Sequence, residues 1–137
     1  MKGKKPILLL EDDKVHQMTI KRALRDLQVS NKLIIRENGL EGLEYLRGPK
    51  SERPSIILLD INMPKMNGIE FLQIVKKDED LCSVPIVALT TSKEEQDRFD
   101  SFKFGVSGFM VKPVDYKQFV ETLKAIQLYW TISELPE

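Results

Sequence analysis

Ser55-Ile-Ile-Leu-Leu-Asp60-Ile-Asn-Met-Pro64-Lys-Met-Asn-Gly68 is the stretch whose reading decides the fold. Ser55 to Leu59 is a short apolar run with no alternation. A strand buried on both faces of a parallel sheet reads this way. The run stops on a carboxylate, Asp60, and Pro64 and Gly68 then turn the chain. Open α/β sheets place their ligands just outside the carboxyl ends of such strands.

Working outward, the same pattern recurs. Pro6 to Leu10 is a second apolar run, and it ends on Glu11, Asp12 and Asp13. Lys14 to Leu27 carries apolar residues at 15, 18, 20, 24 and 27, near helical spacing. Lys32 to Glu37 reads as a strand, and Asn38-Gly39 opens a short helix with Leu40, Leu43 and Leu46 on one face. Ile69 to Lys77 is helical in pattern. Val84 to Leu89 is a strand ending on Thr90-Thr91-Ser92. A charged helix, Lys93 to Phe104, stops at Gly105. Ser107 to Val111 is a strand ending on Lys112-Pro113. Asp115 is a candidate N-cap for a last helix that buries Phe119, Val120, Leu123 and Ile126. Strands thus alternate with helices through the chain, which predicts a doubly wound parallel five-stranded α/β sheet with helices on both faces.

Composition narrows the function classes. A length of 137 residues favours one domain, residues 1–137, with no second domain expected. The 21 basic and 21 acidic residues cancel, so no general attraction to nucleic acid or membrane is expected. No apolar run approaches transmembrane length, and the start lacks the form of a signal peptide. The single Cys82 excludes an internal disulfide and fits a reducing, cytoplasmic setting, as a small half-buried residue.

The strand ends carry the chemistry. In a parallel sheet they lie on one edge, so Glu11, Asp12, Asp60, Thr90 and Lys112 should converge on one crevice. Clustered carboxylates repel one another unless a cation sits among them. An all-oxygen donor set, with no histidine or thiol near it, selects a hard ion, Mg²⁺ or Mn²⁺. A carboxylate nucleophile beside such an ion can accept a phosphoryl group. Lys112 and the Thr90 hydroxyl could then neutralise phosphoryl oxygens. Thr91 could flank the phosphate.

Glu11-Asp12, the Asp60–Gly68 stretch, Thr90-Thr91 and Lys112-Pro113, in this order and spacing, resemble the receiver domain of two-component response regulators. The resemblance spans essentially the whole chain. It implies a flavodoxin-like (βα)₅ fold of strand order 2-1-3-4-5, a common order among doubly wound sheets. It implies Asp60 as phosphoacceptor from a histidine kinase or a histidine phosphotransfer protein, in a signalling protein rather than an enzyme with turnover. It implies Asp12, Asp60 and the backbone carbonyl of Asn62 as Mg²⁺ ligands, with Glu11 acting through a water. It implies Lys112 on the phosphoryl oxygen, Thr90 and Phe109 as the switch pair, and a cis Lys112–Pro113 bond. Phosphorylation would then alter the face made by the fourth helix, fifth strand and fifth helix. The ending Tyr129-Trp130-Thr-Ile-Ser-Glu-Leu-Pro136 resembles free-standing regulators that partner phytochrome-type kinases.

Rival readings are weaker. An aspartate-nucleophile phosphatase would carry a second acid where Asn62 stands. A flavin site would not place Glu11-Asp12-Asp13 against a phosphate. A pseudo-receiver, binding partners without ever being phosphorylated, is the main alternative. His16 reads as a surface histidine, facing outward or at the helix edge. Tyr129, Trp130, Ile132 and Leu135 fall beyond the five-unit core and need cover, which a homodimer would supply.

Overall fold

The computed structural model describes residues 5–49, 52–61, 63–90, 100, 103–111 and 116–133. Five strands form one parallel sheet: β1 (Ile7–Leu10), β2 (Leu33–Arg36), β3 (Ile56–Leu59), β4 (Ile86–Thr90) and β5 (Gly108–Val111). Their order is β2-β1-β3-β4-β5, as expected. Helices α1 (Lys14–Asp26), α2 (Gly39–Arg47), α3 (Gly68–Lys77) and a C-terminal helix (Tyr116–Ser133) complete the described elements. Most of the expected Lys93–Phe104 helix, with Phe99 and Phe102, lies outside the described residues, as does the expected cap Asp115.

The central strands β1 and β3 are wholly buried, and successive side chains enter opposite layers. Leu8, Leu10, Ile57 and Leu59 meet Leu43, Phe71, Leu72 and Val75 of α2 and α3. Ile7, Leu9, Ile56 and Leu58 meet Ile20, Ala23 and Leu24 of α1 and Phe119 and Leu123 of the C-terminal helix. The absence of polar alternation in these strands follows from this double burial.

Short polar side chains set the helix starts. Asp13 accepts from the backbone N–H groups of Val15 and His16, as an N-cap should. Asn38 caps α2 by accepting from Glu41 N–H at 3.0 Å. Asn67 and Glu70 form a reciprocal capping box at α3. The C-terminal helix docks on α1 through Tyr116. Its hydroxyl donates to Asp26 at 2.7 Å, and the Arg22 guanidinium lies 4.1 Å over its ring.

Three expectations change. Val15 and Met18 are 69% and 68% exposed, because the inner row of α1 runs through Gln17, Ile20, Ala23 and Leu24. Leu40 is likewise exposed, in the first turn of α2. Cys82 is exposed, not half-buried, on the turn after α3. No helix among the described residues is long and apolar enough to cross a membrane.

Candidate functional site

Strand pairing builds the site. Leu10 pairs with Leu59, so Glu11 and Asp60 leave adjacent strand ends side by side. The Asp60 N–H donates to the Leu10 carbonyl at 3.0 Å and fixes that relation. Carboxylate oxygens of Glu11, Asp12 and Asp60 all lie within 4.8 Å of one another. Glu11 is 1% exposed and Asp60 7%, whereas Asp12 faces solvent. At 4.8 Å two like charges repel by about 3 kcal/mol when the effective dielectric is about 20. Such a cluster suits a bound cation, and its oxygen donors suit a hard one.

The loop after Asp60 is held at several points. Ile61 and Met63 are buried in the layer under α2 and α3. The Gly68 N–H donates to the Ile61 carbonyl at 2.9 Å, closing the loop on itself. Lys65 adopts a positive φ of 65°, and the Met66 carbonyl accepts from Gly39 N–H at 3.1 Å. Met66 then lies over Gly39, where a Cβ would sit 2.7 Å from its Cγ. Gly68 is tighter still: a Cβ there would meet the Asp60 carbonyl oxygen and the Ile61 Cα, each at 2.7 Å.

The structure brings Glu11, Asp12 and Asp60 together, as the strand-end pattern requires. Thr90 ends β4, paired with Val111 of β5, and Phe109 pairs with Ala88; the side chains of Thr90 and Phe109 are outside the described set. Asn62, Thr91, Lys112 and Pro113 also lie outside the described residues, and with them the Lys112–Pro113 bond.

The expectation of no imidazole near the cluster is corrected. His16 Nδ1 stands 3.7 Å from Glu11 Oε1 and 4.0 Å from Asp13 Oδ2, half-buried at the start of α1. Beyond the acids, sequence reasoning missed a charged rim. Lys14 contacts the Glu37 carboxylate and holds its pKa below the ordinary value. Gln17 donates to the Glu11 backbone carbonyl at 2.7 Å. The available signal was a polar residue in the buried helical row 17, 20 and 24.

Residues 7–124 match the family described as "Response regulator receiver domain". The chain belongs to that family. This receiver is 34% identical to the response regulator Rcp1 of Synechocystis sp., over 92% of this chain and 88% of that protein. A crystal structure of the phosphorylated cyanobacterial phytochrome response regulator RcpA is similar to it, with a TM-score of 0.87, 34% identity and 96% of each chain covered. A crystal structure of Mn²⁺-bound Rcp1 matches with a TM-score of 0.84 and 35% identity, over 92% of this chain and 94% of that one. The receiver is therefore a two-component response regulator domain, similar to phytochrome-associated regulators, with an acidic cluster of the kind that holds a divalent cation.

Proposed function

We propose that Asp60 accepts a phosphoryl group from a histidine kinase or histidine phosphotransfer protein in a cation-dependent reaction. The observation that carries the reading is the convergence of Glu11, Asp12 and Asp60 at paired strand ends. An Asp60 carboxylate oxygen attacks phosphorus, the P–N bond to the donor imidazole breaks, and its electron pair returns to nitrogen. Asp12, Asp60 and the Asn62 backbone carbonyl would hold Mg²⁺, with Glu11 acting through a water. The ion would neutralise charge on the transferring phosphoryl oxygens. Lys112 would bind one of those oxygens, and the Thr90 hydroxyl another, with Thr91 beside them. Thr90 and Phe109 would then shift together and alter the partner-binding face, a minor state made dominant by the modification. The Lys112–Pro113 bond would be cis.

The phosphodonor is proposed to be a phytochrome-type kinase, or a protein relaying from one, in the cytoplasm. The support is the likeness to RcpA, a phytochrome response regulator. We propose that output passes through a partner or a second copy of the chain that reads the altered face. A homodimer through the segment holding Tyr129, Trp130, Ile132 and Leu135 fits the apolar character of that segment. Sedimentation should show self-association that strengthens with a phosphoryl mimic. A monomer at high concentration in both states would refute it.

The test of the central reading is intact-protein mass after incubation with acetyl phosphate and Mg²⁺. One phosphoryl group should be gained, and none after chelation. If the chain gains none from acetyl phosphate or from a phosphorylated histidine donor, the pseudo-receiver reading replaces this one.

A further inference from the structure

Five buried side chains among the described residues are polar or charged: Glu11, Gln17, Asn38, Ser55 and Asp60. Glu11 and Asp60 form the acid cluster, Asn38 caps α2, and the Ser55 hydroxyl reaches the Pro6 carbonyl at 3.4 Å. Gln17 is 6% exposed in the inner row of α1, beside Ile20 and Leu24, where leucine or methionine would pack with no polar group to satisfy. Its Nε2 donates to the Glu11 carbonyl at 2.7 Å. Glu37 is held by Lys14 of the first turn of α1. The buried Gln17 amide thus ties the inner row of α1 to the end of β1, from which Glu11 and Asp12 project, while Lys14 of the same helix reaches the loop beyond β2.

We propose that Gln17 is a positioning residue for the divalent cation. Holding the Glu11 carbonyl keeps the end of β1 in place against the mutual repulsion of the three carboxylates. The ion then meets a site already assembled, and no binding free energy goes into closing it. Gln17 touches neither the phosphoryl group nor its donor, so its effect falls on cation affinity and not on transfer once the site is filled. The inference rests on the cation site proposed above.

The experiment compares the full chain with Gln17→Met, a replacement of similar volume that lacks the donor. Titration calorimetry with MgCl₂ should give a Kd at least threefold higher in the variant. The initial rate of phosphorylation by acetyl phosphate at saturating Mg²⁺ should stay within twofold. A smaller change in Kd overturns the proposal, and so does a saturated rate that falls further than twofold, which would place Gln17 in the reaction or the general fold. Should the variant fail to fold, wild-type NMR decides. The Gln17 side-chain amide protons should exchange slowly and shift with the calorimetric Mg²⁺ midpoint. Solvent-like exchange, or no shift, overturns it. A wild-type chain that binds no Mg²⁺ would refute the cation site and this proposal together, whereas equal binding by both chains refutes only the role of Gln17.

Discussion

Asp60→Asn is expected to take up no phosphoryl group from acetyl phosphate and Mg²⁺, while keeping the fold. Asparagine has nearly the shape of aspartate, so the 7% exposed position and the Asp60 N–H bond to Leu10 can persist. Its amide is no nucleophile towards phosphorus, so the loss should be complete rather than partial. Stability should move the other way. Removing one of three carboxylates within 4.8 Å of one another relieves repulsion in the cation-free protein. A gain of about 1 kcal/mol corresponds to roughly 4 °C in Tm for a domain of this size. Added Mg²⁺ should raise Tm less in the variant than in the wild type, since stabilisation by a ligand follows its affinity. Mass spectrometry and thermal melts with and without Mg²⁺ check both halves. Phosphorylation of the variant at wild-type stoichiometry would place the acceptor elsewhere.

Gly68→Ala should slow phosphorylation without abolishing it, though the residue carries no functional group. The added methyl meets the Asp60 carbonyl oxygen and the Ile61 Cα at 2.7 Å, and both are backbone atoms. No side chain can rotate to make room. Either the start of α3 retreats, breaking the Gly68–Ile61 bond, or the peptide after Asp60 moves. Overpacking of this kind costs about 1–3 kcal/mol. A displacement of about 1 Å at a reacting group can slow a reaction by about 10²-fold. We expect phosphorylation to slow at least about tenfold on that ground. Gly108→Ala is the control, because a Cβ there meets only Val87 methyl carbons at 3.8 and 3.9 Å. A Gly68→Ala chain that reacts at the wild-type rate would show that the loop yields without moving Asp60.

The sheet and its acid edge were legible because both are written in residue type. Buried strands such as Ile7–Leu10 and Ile56–Leu59 need unbroken apolar runs, and the acids that follow them are conspicuous by contrast. Once the strands are parallel and adjacent, Glu11, Asp12 and Asp60 must meet. Helix faces were less legible. Val15 and Met18 fit an apolar spacing equally well, yet the buried row passes through Gln17. Spacing fixes a periodicity, and tertiary contact fixes its phase. The closeness of His16 to Glu11 was hidden for a related reason, since it depends on how α1 leaves the strand. The roles of Met66 over Gly39 and of Gly68 against Asp60 depend on a loop path that no local pattern encodes.

The separation of the core into two layers has a consequence for how such a chain can diverge. Residues 7, 9, 56 and 58 face one layer and residues 8, 10, 57 and 59 the other, and the acid edge lies just past the ends of the strands that carry both sets. Drift in the packing of α1 and the C-terminal helix therefore leaves the bed of α2 and α3 largely unchanged, and the converse also holds. Lineages can remodel one helical surface to suit a new signalling partner and still inherit the same chemistry at the strand ends.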